Sequence, residues 1–272
     1  VDESSPLAPN GDIDEVAVCY LCLDGGDDET GQPLRRDCAC RGTDAGFVHL
    51  SCLAEYAETK SKAWDGRDTN EFITPWERCP SCDQYYQNYF AVDIASKFVL
   101  FVRGQYPDDT QKQVEALHVK LRALILEFRR LQPVQKREAG VTANVMLSLI
   151  DRMRANAPRT YCYSQFESFA YHTHGYIALD EGTEESARRA AVHFHKDLKV
   201  CEAIGDADGI AIAKQNIADA KSKYDDGNYN EDLLKVSQEL YEMRVAKYGE
   251  ENDCTIDAGT TTAAARWSSA IC

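Results

Sequence analysis

Between residues 19 and 82 the chain carries eight side chains of the metal-ligand type, in the order four cysteines, one histidine, three cysteines: Cys19, Cys22, Cys38, Cys40, His49, Cys52, Cys79 and Cys82. They take up seven of the eleven cysteines. They fall in pairs, C-x-x-C, C-x-C, H-x-x-C and C-x-x-C, and a pair at that spacing presents two soft ligands to one tetrahedral metal. Four pairs make two closed zinc sites. Taken in sequence order, one site uses Cys19, Cys22, Cys38 and Cys40 and the other His49, Cys52, Cys79 and Cys82. Interleaved, Cys19 and Cys22 join His49 and Cys52, and Cys38 and Cys40 join Cys79 and Cys82. Spacing alone fits both.

Reading these thiols as ligands, not disulfides, depends on the compartment. The opening residues, with Asp2, Glu3 and Pro6, lack the basic and apolar regions of a signal peptide. The best candidate for a membrane segment, Phe98 to Val102, is five residues long and stops at Arg103, far short of the roughly 20 residues that span a bilayer. A soluble chain of the cytoplasm or nucleus is expected, with no membrane contact, and in that reducing setting clustered thiols point to metal. The chain carries 45 acidic and 30 basic residues, a formal charge of −15, without a Lys/Arg block. Nucleic acid is therefore excluded as a default partner, since phosphate binding needs a concentrated basic face. Proteins are the expected partners. The start at Val1 and the end at Cys272 read as those of a fragment.

The segment CACRGTDAGFVHLSCLAEY, residues 38–56, resembles the central part of the RING-CH (RING-variant) zinc finger, in which a glycine turn leads through an aromatic and a valine to the His-x-x-Cys ligands. RCPSCD, residues 78–83, is similar to the Cys-Pro-x-Cys knuckle of RING domains. Eight residues separate Cys40 from His49, one more than the resemblance leads one to expect, and the 26 between Cys52 and Cys79 are at the long end for that family. A PHD finger has the same ligand order, but spaces its third and fourth cysteines more widely and sets a tryptophan two residues before the seventh ligand. Here the spacer is one residue, and Trp76 stands three before Cys79. A helix is also predicted from Leu50 to about Trp64, with Leu53, Tyr56 and Ala57 on one face.

The resemblance implies interleaved pairing, two zinc ions and a RING-type ubiquitin-protein ligase. Every clustered cysteine is then committed to metal, so no catalytic nucleophile is expected. Transfer would rest on binding a ubiquitin-charged conjugating enzyme and orienting its thioester. The docking positions implied are Leu21 before the second ligand, Pro80 in the last knuckle, and Trp64 or Trp76 beside the helix. Many active RING ligases place a basic residue just after the last ligand; here it is Asp83. The alternative is a non-catalytic adaptor, or a PHD-like peptide reader.

From Tyr89 onward helical periodicity dominates. Val114, Leu117, Leu121, Leu124, Phe128 and Leu131 step by three and four, as do Ile210, Ala213, Ile217, Ala220 and Tyr224, then Leu233, Val236, Leu240 and Met243. Breaks are expected at Pro107, Pro133, Pro158, Gly182, Gly205, Gly227 and Gly249. An echo at 44–45 residues relates Asp180-Glu181-Gly182 to Asp225-Asp226-Gly227 and Ile204-Gly205-Asp206 to Tyr248-Gly249-Glu250. Residues 241–259 resemble tetratricopeptide repeats of the kinesin light-chain type, which implies a groove for a substrate or partner peptide. His172 with His174, and His193 with His195, are two apart and so point to different helix faces, a poor arrangement for metal. Cys162, Cys201, Cys254 and Cys272 are expected to be free thiols.

The expected fold is a small zinc-stabilised α+β RING-like module followed by an all-α helical-repeat solenoid. The expected domains are a disordered segment over 1–15, the zinc finger over 16–88, a helical connecting region over 89–158, and repeats over 159–272, read as truncated.

Overall fold

In the computed structural model the described residues are 17–36, 38, 40, 46–126, 132–156 and 163–224, with scattered positions between 235 and 249. They form two compact units, Val1–Phe101 and Val102–Cys272. The segments expected to be disordered (1–15) and to form the last repeat lie outside the described residues, as do Phe128, Leu131, Pro158, Gly227, Leu233, Val236, Leu240, Cys162, Cys254 and Cys272.

The first unit begins with irregular chain that leads into α1, Leu50–Lys62. The predicted helix is there. It starts one residue after His49, whose extended backbone occupies the N-cap position without a side-chain cap, because the ring is engaged elsewhere. Leu53, Ala54, Ala57 and Ser61 form its buried stripe. Next come α2, Thr69–Ile73, capped by the Asp68 carboxylate on the Asn70 N–H, and a 3-10 turn over Thr74–Trp76 with proline in its first turn. Helix α3, Asn88–Gln105, closes the unit with its first part.

An aromatic core explains why the first unit continues into α3. Trp76 stacks on Phe98 at 5.0 Å between centroids and meets Phe101 at 5.3 Å, and Phe72 meets Phe98 at 5.6 Å. Four such rings bury enough apolar area to add several kcal/mol to what a zinc module this small obtains from its metals. The Trp76 Nε1–H donates to Ser61 Oγ (2.9 Å), which donates to the Phe72 carbonyl (2.8 Å), so α1 is tied to the α2 turn by a buried relay. The β part of the expected α+β module reduces, among the described residues, to two isolated antiparallel bridges, Arg35 with Val48 and Arg78 with Tyr85.

The second unit is helical: α4, Thr110–Leu126; α5, Pro133–Asn156; α6, Ser164–Asp180; α7, Glu184–Ile204; and α8, Ala207–Lys221. Pro133 is the first residue of α5, where its missing N–H costs nothing, so it opens a helix as well as ending the preceding pattern. Gly182 and Gly205 turn the chain with φ of +72° and +71°. A Thr183–Ser186 capping box then starts α7, and Asp206 caps α8 through the Gly209 N–H. Neighbouring helices in sequence pack together from α4 to α8, and α4 also reaches α6. Helices α6 and α7 approach closely: a Cβ on Gly175 would lie 2.3 Å from Phe194 Cε1. No described helix is long and apolar enough to cross a membrane.

Candidate metal centre

Both C-x-x-C pairs are built by the same turn. The Cys19 N–H donates to the Asp24 carbonyl and the Leu23 N–H to the Cys19 carbonyl, each at 2.8 Å. In the second copy the Cys79 N–H donates to Gln84 O and the Asp83 N–H to Cys79 O, each at 2.9 Å. In each knuckle the residue after the second cysteine is left-handed, with φ +66° at Leu23 and +55° at Asp83. The remaining pairs are brought in by short backbone links. The Tyr20 N–H donates to Phe47 O (3.0 Å), and Arg35 and Val48 exchange both N–H···O bonds (3.0 and 2.9 Å).

The ligand atoms of Cys19, Cys22, His49 and Cys52 all lie within 4.8 Å of one another, and so do those of Cys38, Cys40, Cys79 and Cys82. The pairing is interleaved, as the family resemblance implied. His49 Nδ1 is 3.4 Å from Cys22 Sγ and 3.7 Å from Cys52 Sγ, and Cys40 Sγ is 3.7 Å from Cys79 Sγ. Ligands bound at about 2.0–2.3 Å around a tetrahedral zinc stand roughly 3.3–3.8 Å apart, so the donor sets fit two zinc ions, one held by three cysteines and a histidine and one by four cysteines.

Surrounding groups prepare each set. His49 Nε2 lies 2.7 Å from the Gly26 carbonyl. A carbonyl only accepts, so Nε2 carries the hydrogen and Nδ1 presents its lone pair to the sulfurs. The Gly26 carbonyl also raises the histidine's affinity for a proton, against burial. Around the second set, Gly46 has φ +85°, and a Cβ there would lie 2.8 Å from Cys40 Cβ and 3.1 Å from Cys38 Sγ. Only glycine lets the chain pass. Arg36 Nη2 donates to the Cys40 carbonyl at 2.6 Å.

Electrostatics within the quartets call for a cation. Cys52 is pushed up to about 12, by burial first and then by the Cys22 and Cys19 sulfurs. Burial, with the Cys38, Cys82 and Cys79 side chains, pushes Cys40 up as well. Burial also acts on Cys19, but the N–H groups of Cys22, His49 and Leu21 outweigh it and bring its thiol down to about 7. Cys19 ionises readily while Cys52 beside it resists, so thiolates at both are held together only around a positive ion.

Beside the first centre, Asp28 organises a loop by accepting from the Thr30 N–H and hydroxyl, the Gln32 N–H and Ser51 Oγ on α1. The hydroxyls of Thr30 and Ser51 lead in holding its carboxyl well below the usual range. Asp28 lines a recess of about 540 Å³ together with Asp24, Asp27, Glu29, Glu55, Glu58 and Lys97.

The four positions expected to dock a partner separate by burial. Leu21 is half-buried in the first knuckle and Pro80 exposed in the second. Trp64 is half-buried, its ring 5.3 Å from Phe72, whereas Trp76 is only 1% exposed and belongs to the core. Arg78 stacks over Tyr85 at 4.1 Å and donates to the Asp83 carbonyl at 2.9 Å, so the acidic residue after the last ligand sits beside a guanidinium.

In the second unit the histidines are engaged with protein partners. His172 Nδ1 lies 3.1 Å from the buried Asp197, which also accepts from Ser168 Oγ at 2.5 Å. His174 stacks on His193 at 5.1 Å between centroids. Cys201 is a buried free thiol, pushed up to about 11 by burial.

Sequence reasoning passed over Gly46, the Gly26 carbonyl and Asp28. A glycine three residues before the histidine ligand was the available signal for the first; a backbone carbonyl and a loop aspartate have none. Set beside known families, residues 19–82 match the RING-variant domain, with the match bounded by the first and last ligands. A search of the curated proteins finds no match.

Proposed function

We propose that this chain is a RING-CH-type ubiquitin-protein ligase whose zinc module docks a ubiquitin-charged conjugating enzyme and whose helical unit recruits a substrate. The observation that carries the reading is the interleaved pairing of the eight ligands around α1, together with the RING-variant match over the same residues. Interleaving fixes two knuckles and a helix in one rigid frame, and a surface spanning them is what a folded partner enzyme needs.

In this reading Leu21 supplies the apolar contact of the first knuckle, Pro80 that of the second and Trp64 the aromatic beside α1. Trp76 works from beneath, holding α1 in place through Ser61. The module contributes proximity and orientation, and the bond-making groups belong to the conjugating enzyme and the substrate lysine. The second unit is read as tetratricopeptide-like repeats. Sequential helix packing, αL glycines at Gly205 and Gly249 spaced 44 apart, and capped helix starts support that arrangement.

A specific feature favours the adaptor alternative: Asp83 stands where a basic residue is common in active ligases. Docking is tested by titrating a panel of isotopically labelled conjugating enzymes with the zinc-loaded full chain and following their amide shifts. The expected result is a localised perturbation on at least one enzyme, weakened about tenfold or more by Leu21→Ala with two zinc ions retained. Absence of binding across the panel by a folded, fully metallated chain would transfer the reading to the adaptor.

A further inference from the structure

We infer that His172 is a recognition point of the helical unit: its outer ring nitrogen, backed by the buried Asp197 carboxylate and flanked by aromatic rings, takes a basic side chain of the recruited segment, arginine above all. This rests on the recruiting role proposed above for that unit and names the chemistry of what it recruits.

Asp197, on α7, is only 3% exposed, and among the described residues no lysine or arginine pairs with it. Its carboxylate accepts from Ser168 Oγ at 2.5 Å and His172 Nδ1 at 3.1 Å, both on α6, and from Cys201 Sγ at 3.4 Å. A hydroxyl, a thiol and a neutral imidazole are dipoles, so they solvate the buried charge without cancelling it. A carboxylate only accepts, so Nδ1 carries the hydrogen and the neutral ring holds its lone pair at Nε2. That nitrogen has no hydrogen-bond partner among the described residues. The partnerless ring nitrogens that are sealed from solvent belong to His174 and His193, whereas Nε2 of His172 reaches the surface. The side chain is 17% exposed against 4% for Asp197 behind it.

The surroundings select the charge of the ligand. Phe169 and Tyr176, one turn to either side on α6 and both half-buried, flank the imidazole at 6.4 and 4.7 Å between centroids. The Asn216 amide, on α8, comes within 3.5 Å of Nδ1, so the position lies where α6 meets α8. Aromatic rings and a lone pair in front of an uncancelled carboxylate complement a cation, while an acidic ligand would add a second negative charge beside Asp197. A guanidinium suits the place better than an ammonium, because its planar fork can donate to Nε2 while lying against a ring. Clamping α6 to α7 needs Nδ1 alone and leaves the surface nitrogen unexplained.

The test uses the zinc-loaded full chain and fluorescein-labelled short peptide pools, randomised except for a central arginine, lysine, glutamine or glutamate, with binding read by anisotropy. The arginine pool is expected to bind about tenfold more tightly than the glutamine pool, with lysine between them and glutamate weakest. His172→Asn keeps a side-chain N–H for Asp197 but lacks the outer nitrogen, so it should melt as wild type does and lose the preference for arginine. In the wild-type chain carrying isotopically labelled histidine, the arginine pool should shift the His172 Nε2 resonance; this readout stands whether or not the variant folds. An arginine preference that survives His172→Asn, or an Nε2 resonance unmoved at saturation, would overturn the inference and leave recruitment by the helical unit standing. Tighter binding of the glutamate pool would overturn the charge assigned to the ligand. A wild-type chain that binds none of the pools would remove the recruiting reading and the inference with it.

Discussion

Replacing Gly46 by alanine probes the second metal centre at a point where the chain crosses behind its ligands. Two costs follow from the structure. The backbone is left-handed at φ +85°, which costs a non-glycine residue roughly 1–2 kcal/mol. The new Cβ would then meet Cys40 Cβ at 2.8 Å and Cys38 Sγ at 3.1 Å. Cys40 Cβ is fixed to the backbone and Cys38 Sγ is held in the metal-binding quartet, so the C-x-C segment must move, at about 1–3 kcal/mol for overpacking. The total is roughly 2–5 kcal/mol, concentrated on the four-cysteine centre. Gly31→Ala is the internal control, since it shares the left-handed backbone at φ +75° but would meet nothing within 4 Å. The assay is zinc release to a chromogenic chelator, with total zinc by mass spectrometry. Gly46→Ala is expected to lose one of its two zinc ions rapidly, while Gly31→Ala releases both at the wild-type rate and shows a slightly lower melting point. Equal zinc retention by the two variants would refute the argument that contact with Cys40 and Cys38 dictates glycine at position 46.

Two more outcomes are expected. Interleaving predicts that Cys19→Ser combined with Cys52→Ser destroys one centre and leaves cobalt at the other with a four-sulfur spectrum, whereas Cys52→Ser with Cys82→Ser removes both; sequential pairing predicts the reverse. In the helical unit, His118 lies between Phe166 and Phe169 at 4.9 and 5.1 Å, and burial, aided by the Arg122 charge, lowers it to about 4. The unfolded chain holds that proton from about pH 6.5 downward, so the stability due to neutral His118 is complete above 6.5 and is lost as the pH falls toward 4. About 2 kcal/mol should go between pH 7 and pH 5, read by hydrogen exchange in α4 and α6, and His118→Phe should flatten that slope. An unaltered slope in the variant would place the titration elsewhere, for example at His193, which burial also lowers to about 4.

How much of this could be read from the residues depended on the range of each interaction. The eight ligands and α1 were legible, because ligand pairs two or three residues apart and a stripe at helical spacing are local patterns. The pairing was not, since bringing Cys22 within 3.4 Å of His49 depends on the Tyr20–Phe47 and Arg35–Val48 links between distant segments. Trp76 and Trp64 looked equivalent in sequence, and only the approach of Phe98 and Phe101 from α3 separates a core tryptophan from a half-buried one. The same aromatic contacts draw α3 as far as Phe101 into the first unit, although its helical periodicity made it look like part of the connecting region. His174 and His193 stack on one another from neighbouring helices, and a stack between helices leaves no mark at short spacing.

The most direct measurement of the central claim is single-turnover discharge of ubiquitin from a charged conjugating enzyme by the zinc-loaded full chain, with and without prior chelation. The account predicts acceleration that disappears when zinc is removed and falls at least tenfold in Leu21→Ala, whose two zinc ions remain bound. Docking without acceleration, or acceleration that survives the loss of both metals, would contradict it.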